Sequence, residues 1–307
     1  YKTWGPPKLL APQFADLRFS VPTFVQWGKK IINHKDSFND TLFYYPKNGF
    51  QQLWDRLAEK LQAYGMRIVY GATVERLNVQ NQRAVSVTIS QNGTQEEIPS
   101  EWVVSTVPAP QFIKTADGLA PKGLATSFPC RGLLIVIFFI DQEQCLPARV
   151  VICPESRFLF NRLTEQNQFS RETVPSGKSV VLADIIIEND SSLWERSDED
   201  IIQLTSRQFV ETGLVSAHQI KSTFLVRVDE AYPLPSTARE LAQQQLNQAV
   251  QKFENIVTTG RFASSDYNNS HTAMKKGMLL AQWLVQKKTL AGWFDAAEQL
   301  RQRPIRD

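Results

Sequence analysis

The sequence predicts an α/β fold of the mixed α+β type. One observation is the stretch Ile256–Leu284, in which a strand, a glycine turn and a helix follow one another. A second is the series of strand-like segments between residues 112 and 250, interrupted by two helical patterns, which is typical of a sheet covered by helices. A third is the succession of a helix, a hairpin and a returning strand between residues 43 and 110.

Residues 43–110 predict one helix and several short strands. The apolar positions between Phe50 and Tyr64 fit one helical face, so we expect this helix to pack in the core, with Asn48 as N-cap and Gly65 as C-cap. Residues 91–93 (Gln-Asn-Gly) are a strong hairpin-turn signal. The predicted strands are Ile68–Tyr70, Val74–Val79, Ala84–Ile89, Glu97–Ile98 and Trp102–Thr106.

Residues 112–250 predict a sheet with two covering helices, Ser197–Thr212 and Ser236–Val250. A final helix, Leu290–Arg301, is expected to pack on the outside. The predicted strands are Leu133–Ile140, Arg149–Ile152, Arg157–Asn161, Val180–Ile187 and Ser222–Val228.

The stretch around Gly260 predicts a ligand-binding helix start. Ile256 and Val257 end a strand, Gly260 and Arg261 follow, and residues 268–270 are of N-cap type. Spacings of four and three give the following helix one apolar face, made of Met274, Met278, Ala281 and Leu284. Free N–H groups and the positive end of the helix dipole favour an anionic or carbonyl-rich ligand there. From this stretch alone, an ordinary capped helix packed on a sheet is the simpler interpretation.

Composition excludes several classes of protein. Of the 307 residues, 42% are hydrophobic and 21% charged, which is typical of a folded chain. The length accommodates one large domain or two ordinary ones. With 34 basic and 31 acidic residues, the net charge of +3 gives no case for a nucleic-acid partner.

The cysteines and apolar runs favour a cytoplasmic protein with no integral membrane segment. Cys130, Cys145 and Cys153 lack C-x-x-C spacing, so we expect free, mostly buried thiols in a reducing compartment, with one disulfide as the alternative. The longest apolar run, Gly132–Ile140, is shorter than the ~20 residues that a membrane-spanning helix needs. Peripheral membrane association stays open. The chain opens without the features of a secretory signal.

Two further motifs are rejected. Ser176–Ser179 (Ser-Gly-Lys-Ser) suggests a phosphate-binding loop, but Glu172 stands where that motif needs its first glycine. His34, His218 and His271 have no metal-ligand spacing, so no metal site is predicted.

Three motifs carry a resemblance to a known family. The pattern G-R-F-x-x-x-D-Y-N-N-x-x-x-A-x-x-x-G (260–277) resembles the C-terminal FAD-binding segment of the flavin-containing amine oxidases. That group includes protoporphyrinogen oxidase-like proteins and, more distantly, UDP-galactopyranose mutases. The pattern Y-P-K-x-G-F-x-x-L (45–53) and the strand Trp102–Pro108 resemble the same family.

The resemblance implies FAD as the cofactor and assigns residues to it. Gly260 and Arg261 are expected beside the ribityl–phosphate portion, the start of the following helix beside the flavin ring, and the backbone of Val74 beside the adenine. A helix-capping role for His271 is the alternative. The implied cofactor-binding residues are Val74, Thr106, Pro108, Gly260, Arg261, Asn269, Ser270, His271 and Thr272. The implied substrate-binding residues are Tyr45, Arg227 and Tyr232, with no catalytic residue assigned.

The resemblance also implies a division into domains. An incomplete Rossmann-like FAD-binding domain is expected from 41–110 and 251–289, and a substrate domain from 1–40 and 111–250, followed by a C-terminal helix over 290–307. The fingerprint G-x-G-x-x-G, which brings a pyrophosphate to a helix start, is absent from the sequence. We therefore expect the chain to be a fragment, whose N-terminal FAD-binding segment has been removed or is a separate subunit.

Three functions follow from the resemblance. The first is an FAD-dependent oxidoreductase of the amine oxidase or protoporphyrinogen oxidase type, transferring a hydride from a small molecule to flavin N5. The second is a mutase acting on a nucleotide sugar, whose diphosphate needs clustered arginines; the candidates are Arg18, Arg162, Arg227 and Arg261. The third is a cofactor-free fragment or one part of a split flavoprotein.

Overall fold

A computed structural model of the chain describes residues 8, 10–12, 14, 44–116, 118–188, 191–265, 268–286 and 290–301. These residues belong to two compact units. The first unit contains 44–68 and Cys130–Tyr232, and the second contains 8–14, Val69–Pro129 and 233–301 within the described residues.

The described part of the chain confirms the predicted mixed α/β class. In chain order the elements are α1 (Gln51–Ala63), β1 (Ala72–Gln80), β2 (Arg83–Gln91), β3 (Thr94–Pro99), β4 (Val103–Ser105), α2 (Ala109–Lys114), β5 (Cys130–Ile140), β6 (Val150–Ile152), β7 (Arg162–Glu165), β8 (Ser179–Ile187), α3 (Asp198–Glu211), β9 (Ile220–Pro233), α4 (Thr237–Val250), β10 (Ile256–Thr258), α5 (Ser270–Val285) and α6 (Leu290–Arg301). None of these helices combines the length and apolar content that crossing a bilayer requires.

The first unit is built on a five-stranded sheet in the order β6-β7-β8-β5-β9. Alternate residues of the antiparallel neighbours β5 and β8 point into one core, where α3 also packs. The rings of Phe138 and Phe209 lie 5.0 Å apart in this core. α3 begins where it does because Ser197 caps it, its hydroxyl accepting a hydrogen bond from the Asp200 N–H at 3.1 Å.

The second unit contains a three-stranded antiparallel sheet, β1-β2-β3, and a two-stranded parallel sheet, β4–β10. Buried Asn255 connects the two sheets. Its amide nitrogen donates to the carbonyls of Ala84 and Glu101 at 2.8 and 2.7 Å, and its oxygen accepts from the Ala84 N–H at 2.8 Å. The side chain therefore fixes the entry into β10 against β2 and against the residues before β4.

Most predicted elements are confirmed, and the exceptions have physical reasons. The hairpin turn has positive φ at Asn92 and Gly93 (51° and 79°), as the Asn-Gly pair favours. The predicted strands Ile68–Tyr70 and Arg157–Asn161 are wrong, because residues 68–70 and 157–160 lie in loops and turns. Among the described contacts, only Asn161 forms backbone-to-backbone bonds with neighbouring chain segments, at Cys153 and Asp184. The three cysteines are free, as predicted.

The N-terminus and environment of α1 differ from the prediction. Asn48 is not the N-cap, because the Gly49 N–H bonds the Pro46 carbonyl at 3.0 Å in a turn and the helix begins after Phe50. No residue of α1 is buried, so the expectation that this helix packs in the core is wrong. Its pattern is amphipathic, but Leu53 and Leu57 remain exposed. Arg18 and His34 lie outside the described residues.

Candidate functional site

The carboxyl ends of β4 and β10 form the base of the candidate site. The two strands are parallel and pair Ser105 with Thr258, so both end at the same edge. The Thr259 N–H extends the ladder by donating to the Ser105 carbonyl at 3.0 Å. In open α/β sheets, ligands bind in the crevice outside such carboxyl ends.

The chain turns sharply immediately after β10. Gly260 has a φ of +90°, a conformation that strains any residue with a Cβ. A Cβ on Gly260 would meet the Cβ of Thr106 at 3.8 Å, which is ordinary contact, so backbone conformation rather than crowding requires glycine here. The Ser264 N–H closes the turn on the Gly260 carbonyl at 3.1 Å.

The loop then leads to the N-terminus of α5. Arg261 Nη1 donates to the Asn268 carbonyl at 3.1 Å, which ties the residue after the glycine to the residue before the helix cap. Asn269 is the N-cap, and its carbonyl accepts the N–H groups of Thr272 and Ala273 at 3.0 and 3.1 Å. The predicted helix start at residues 268–270 is therefore confirmed. Thr106, Gly260, Arg261 and Asn269 come together at one edge of the second unit.

Several buried polar atoms at this edge lack a hydrogen-bond partner among the described residues. They are the hydroxyl oxygens of Ser105 and Thr258 and both amide atoms of Asn268. These residues are 8%, 5% and 8% exposed. An unsatisfied buried polar group costs about 1–3 kcal/mol, so folded proteins normally supply it with a partner. Two hydroxyl groups and one amide supply donors and acceptors of the kind that the hydroxyls and phosphates of a nucleotide can pair with.

A buried network holds the same loop from behind. The hydroxyl of Ser265 accepts from Arg239 Nε at 3.0 Å and donates to Gln243 Oε1 at 2.7 Å. Gln243 Nε2 also donates to the Ala263 carbonyl at 3.3 Å, and Arg239 Nη1 donates to the Pro129 carbonyl at 2.8 Å. Arg239 and Gln243 were not among the predicted site residues. Their only signal was two polar residues four apart in a predicted helix, which normally indicates a solvated face.

The other predicted cofactor residues occupy varied positions. Thr106, Ser270 and His271 are exposed, and Thr272 is half-buried. Pro108 precedes α2 as its N-cap. Val74 lies on β1 opposite Ile89, beside a register shift, and is 40% exposed. For all of these residues, contact with the cofactor stays a prediction.

The predicted substrate residues all belong to the first unit. The ring of Tyr45 lies 5.3 Å from that of Phe169 and 6.4 Å from that of Phe50. Arg227 bonds the Asp198 carboxylate at 2.7 and 3.0 Å and the Trp194 and Arg196 carbonyls at 2.5 and 2.7 Å. These bonds anchor Arg227 to the start of α3, and any substrate contact by it stays a prediction.

Tyr232 belongs to a polar group on the sheet face opposite the first unit's core. Arg162 and Asp184 are cross-strand partners in β7 and β8 and form an ion pair, and Tyr232 hydrogen-bonds Arg162. Burial raises the pKa of Asp184, and Arg162 offsets part of that shift. Burial alone would lower the pKa of Arg162, but Asp184 and Tyr232 outweigh it and the pKa lies above its ordinary value.

Apolar side chains surround this ion pair. On β5, β8 and β9, apolar residues alternate with the core positions and lie on the sheet face that carries the ion pair. These residues are half-buried or exposed. They are Leu133, Ile135, Ile137, Leu182, Ile186, Phe224 and Val226. A mainly apolar surface with a few placed polar groups is typical of a small-molecule site.

The second unit also has a broad groove of about 980 Å³ along its three-stranded sheet and α2. Its lining is mainly polar and includes Glu75, Arg76, Glu97 and Lys114. The residues of the Gly260 turn do not line it. We place the candidate site at the turn, because four of the unpaired buried atoms in the described residues, those of Ser105, Thr258 and Asn268, lie there.

Comparison with solved structures identifies the class of fold. Solved structures of a UDP-galactopyranose mutase and of two oxidases match the chain, so the predicted resemblance is confirmed at the level of the fold. No protein-family model and no curated protein matches the sequence.

The structure of reduced UDP-galactopyranose mutase matches with a TM-score of 0.76 over 98% of this chain and 66% of its own, at 16% identity. A putative protoporphyrinogen oxidase from Exiguobacterium sp. 255-15 matches with a TM-score of 0.56 over 70% of this chain and 46% of its own, also at 16% identity. A triple mutant of putrescine oxidase matches with a TM-score of 0.56 over 79% of this chain and 54% of its own, at 12% identity. The chain thus spans less than two thirds of the length of each.

Proposed function

We propose that this chain is part of an FAD-dependent oxidoreductase of the amine oxidase or protoporphyrinogen oxidase type. The observation that carries the proposal is the group of unpaired buried atoms of Ser105, Thr258 and Asn268 around the Gly260 turn. A second support is the fold shared with flavin enzymes. Substrate and reaction come from the resemblance rather than from the geometry.

In this proposal each residue of the turn has a physical role. Gly260 lets the backbone approach the ribityl portion, and Arg261 supplies positive charge beside the phosphates. The first turn of α5 presents backbone N–H groups to the ring edge. When bound, the flavin supplies the redox chemistry by accepting a hydride from the substrate. The pyrophosphate itself is held by an N-terminal FAD-binding segment or a separate subunit.

The first unit supplies the substrate site in this proposal. The apolar face of its sheet receives the body of a small molecule, and Arg162 with Tyr232 orients a polar end. Because Asp184 already neutralises Arg162, this group favours a hydrogen-bonding substrate group over a bare charge. Tyr45 supplies an aromatic wall beside Phe169.

Flavin retention tests the proposal. The chain is expressed with its FAD-binding segment and its absorption is measured near 450 nm, roughly where bound flavin absorbs. Gly260→Ala strains the turn by about 1–2 kcal/mol and should reduce flavin retention. Gly123→Ala is the matched control, because Gly123 has a similar φ of +81° and opens a turn before residues 124–127.

The expected result is that both variants lose similar stability and only Gly260→Ala loses flavin. A colourless wild-type protein, or equal flavin loss in both variants, contradicts the proposed site and favours the cofactor-free alternative.

A second candidate function is isomerisation of a nucleotide sugar. The supporting observation is that the mutase structure matches 98% of the chain with a TM-score of 0.76. The protoporphyrinogen oxidase and the putrescine oxidase match 70% and 79% of it, each with a TM-score of 0.56. The flavin-loaded protein is assayed in parallel for amine oxidation and for UDP-sugar isomerisation. Turnover in only one of the two assays identifies which reaction the protein catalyses.

A further inference from the structure

Glu230 lies on the same sheet face of the first unit as the Arg162–Asp184 ion pair. Side chains alternate along a strand and Leu225 of β9 points into the core, so the side chains of Glu230 and Tyr232 point to the opposite face. Tyr232 hydrogen-bonds Arg162 on that face. Glu230 is half-buried, and its Oε2 atom is buried without a hydrogen-bond partner in the described residues.

The other charged side chains that the described strands place at this end of the face are paired with one another. Arg131, near the start of β5, has its Nη2 atom 2.8 Å from Oε1 of Glu188, which follows β8. Arg162 and Asp184 form the second ion pair. Among the described residues, two arginines and three carboxylates therefore share this end. One formal negative charge is in excess, and it belongs to Glu230.

A buried carboxylate oxygen without a donor is unfavourable. Removing a charged group from water costs free energy unless a hydrogen bond or an opposite charge replaces the water, and folded proteins normally supply such a partner. A ligand that brings a donor or a positive charge to the face would supply it, through a charge-assisted hydrogen bond. A carboxylate or phosphate at the same position would instead be repelled, which makes Glu230 a selective group.

We propose that Glu230 determines the charge selectivity of this sheet face. It accepts the hydrogen-bond-donor end of a neutral or cationic small molecule and excludes a carboxylate or phosphate from that position. The inference rests on the proposed substrate site in the first unit, where apolar residues such as Val226 contact the body of the same molecule. A nucleotide-sugar substrate would then have to place its diphosphate away from Glu230.

Three probes of equal chain length test the selectivity in the whole chain. Hexylammonium, 1-hexanol and hexanoate share an apolar body and differ in the charge of one end. Each is titrated while the methyl NMR signals of Leu133 and Ile135 on this face are followed, with those of buried Leu134 and Val136 as the reference. We expect hexylammonium to bind at least about tenfold more tightly than hexanoate, with hexanol between them. Equal binding of the three probes, or tightest binding of hexanoate, overturns the proposal.

Three variants assign the selectivity to one side chain. Glu230→Gln keeps the shape and removes the charge, so the preference for hexylammonium over hexanoate should fall below about twofold. Glu230→Asp keeps the charge and should retain the preference. Glu199→Gln is the matched control, because it makes the same charge change at an exposed position of α3, which packs on the core side of the sheet. An unchanged preference in Glu230→Gln, or an equal loss in Glu199→Gln, contradicts the assignment.

Urea unfolding tests whether Glu230 has a structural role instead. Glu230→Gln should be at least as stable as the wild type, because the substitution removes an uncompensated charge and breaks no described ion pair. Asp184→Asn is the comparison, since it breaks a described pair and should lower the free energy of unfolding. A loss in Glu230→Gln as large as that in Asp184→Asn shows that Glu230 stabilises the fold, and it overturns the inference.

Neither measurement requires bound flavin, which separates this inference from the function on which it rests. Charge selectivity at Glu230 without flavin retention supports the role of Glu230 and contradicts the flavin function. Flavin retention without charge selectivity has the opposite meaning.

Discussion

The stability of the Gly260 loop should depend on one hydroxyl. Ser265 has a φ of +52°, in the left-handed region, and its Oγ bonds both Arg239 and Gln243. Ser265→Ala keeps the strained backbone and leaves two buried groups without their shared partner. Arg239 and Gln243 are 2% and 1% exposed, which limits the access of water to the groups that lose the hydroxyl. At about 1–3 kcal/mol for each unsatisfied group, the expected loss is about 2–4 kcal/mol.

A second substitution separates backbone strain from lost hydrogen bonds. Ser265→Gly removes the same hydroxyl but relieves the left-handed strain, which costs residues with a Cβ about 1–2 kcal/mol. Glycine should therefore be more stable than alanine by about 1 kcal/mol, the reverse of their order in ordinary backbone. Urea unfolding of both variants measures the difference, with Ser176→Ala in an exposed loop as the control, expected within about 0.5 kcal/mol of wild type.

Hydrogen exchange shows whether the effect is local. The amides of Ala263 and Ser264 should exchange faster in Ser265→Ala, while those of β8 in the first unit stay unchanged. If the alanine variant is as stable as the Ser176→Ala control, or more stable than the glycine variant, the reasoning about this network is refuted.

Two further predictions concern the first unit. Arg162→Gln should destabilise the first unit by about 2–4 kcal/mol, because Asp184 is 4% exposed and loses its cation. Adding Asp184→Asn should restore part of the lost free energy of unfolding, measured in urea. If the double variant restores nothing, the pairing is contradicted. Burial raises the pKa of the Cys145 thiol from 9.0 to about 12, so its contribution to stability is complete below pH 9.0 and is lost as the pH rises towards 12. The alkaline loss in unfolding midpoint should be smaller in Cys145→Ala, and an identical pH profile would contradict the assignment.

Local signals were enough to predict most elements. Glycine and N-cap residue types define the turn at Gly260 and the start of α5 within a few residues of sequence, and an Asn-Gly pair defines the β2–β3 hairpin. Such features depend on backbone conformation and on the nearest hydrogen bonds, which the neighbouring residues determine. The strand–turn–helix order was therefore predictable before any packing was known.

Long-range pairings were not predictable in the same way. Arg162 and Asp184 meet only because β7 and β8 adopt one register, and a shift by one residue would move Asp184 to the core face. In the sequence, Arg239 cannot be distinguished from a solvated arginine on a helix, because its hydrogen bond depends on the distant loop that contains Ser265. The amphipathic pattern of α1 predicted burial, yet the described residues bury none of its side chains. Periodicity identifies the face that prefers burial but not the surface that covers it.

The two sides of the Gly260 loop support a binding site over a packing defect. On the α4 side, the polar groups of Ser265, Gln243 and Ala263 bond one another. On the strand side, Ser105 and Thr258 leave buried hydroxyls without a partner in the described residues. A loosely packed loop would show gaps on both sides. A loop that is hydrogen-bonded on one side and adjoins unpaired buried groups of β4 and β10 on the other has the preorganisation that ligand binding requires.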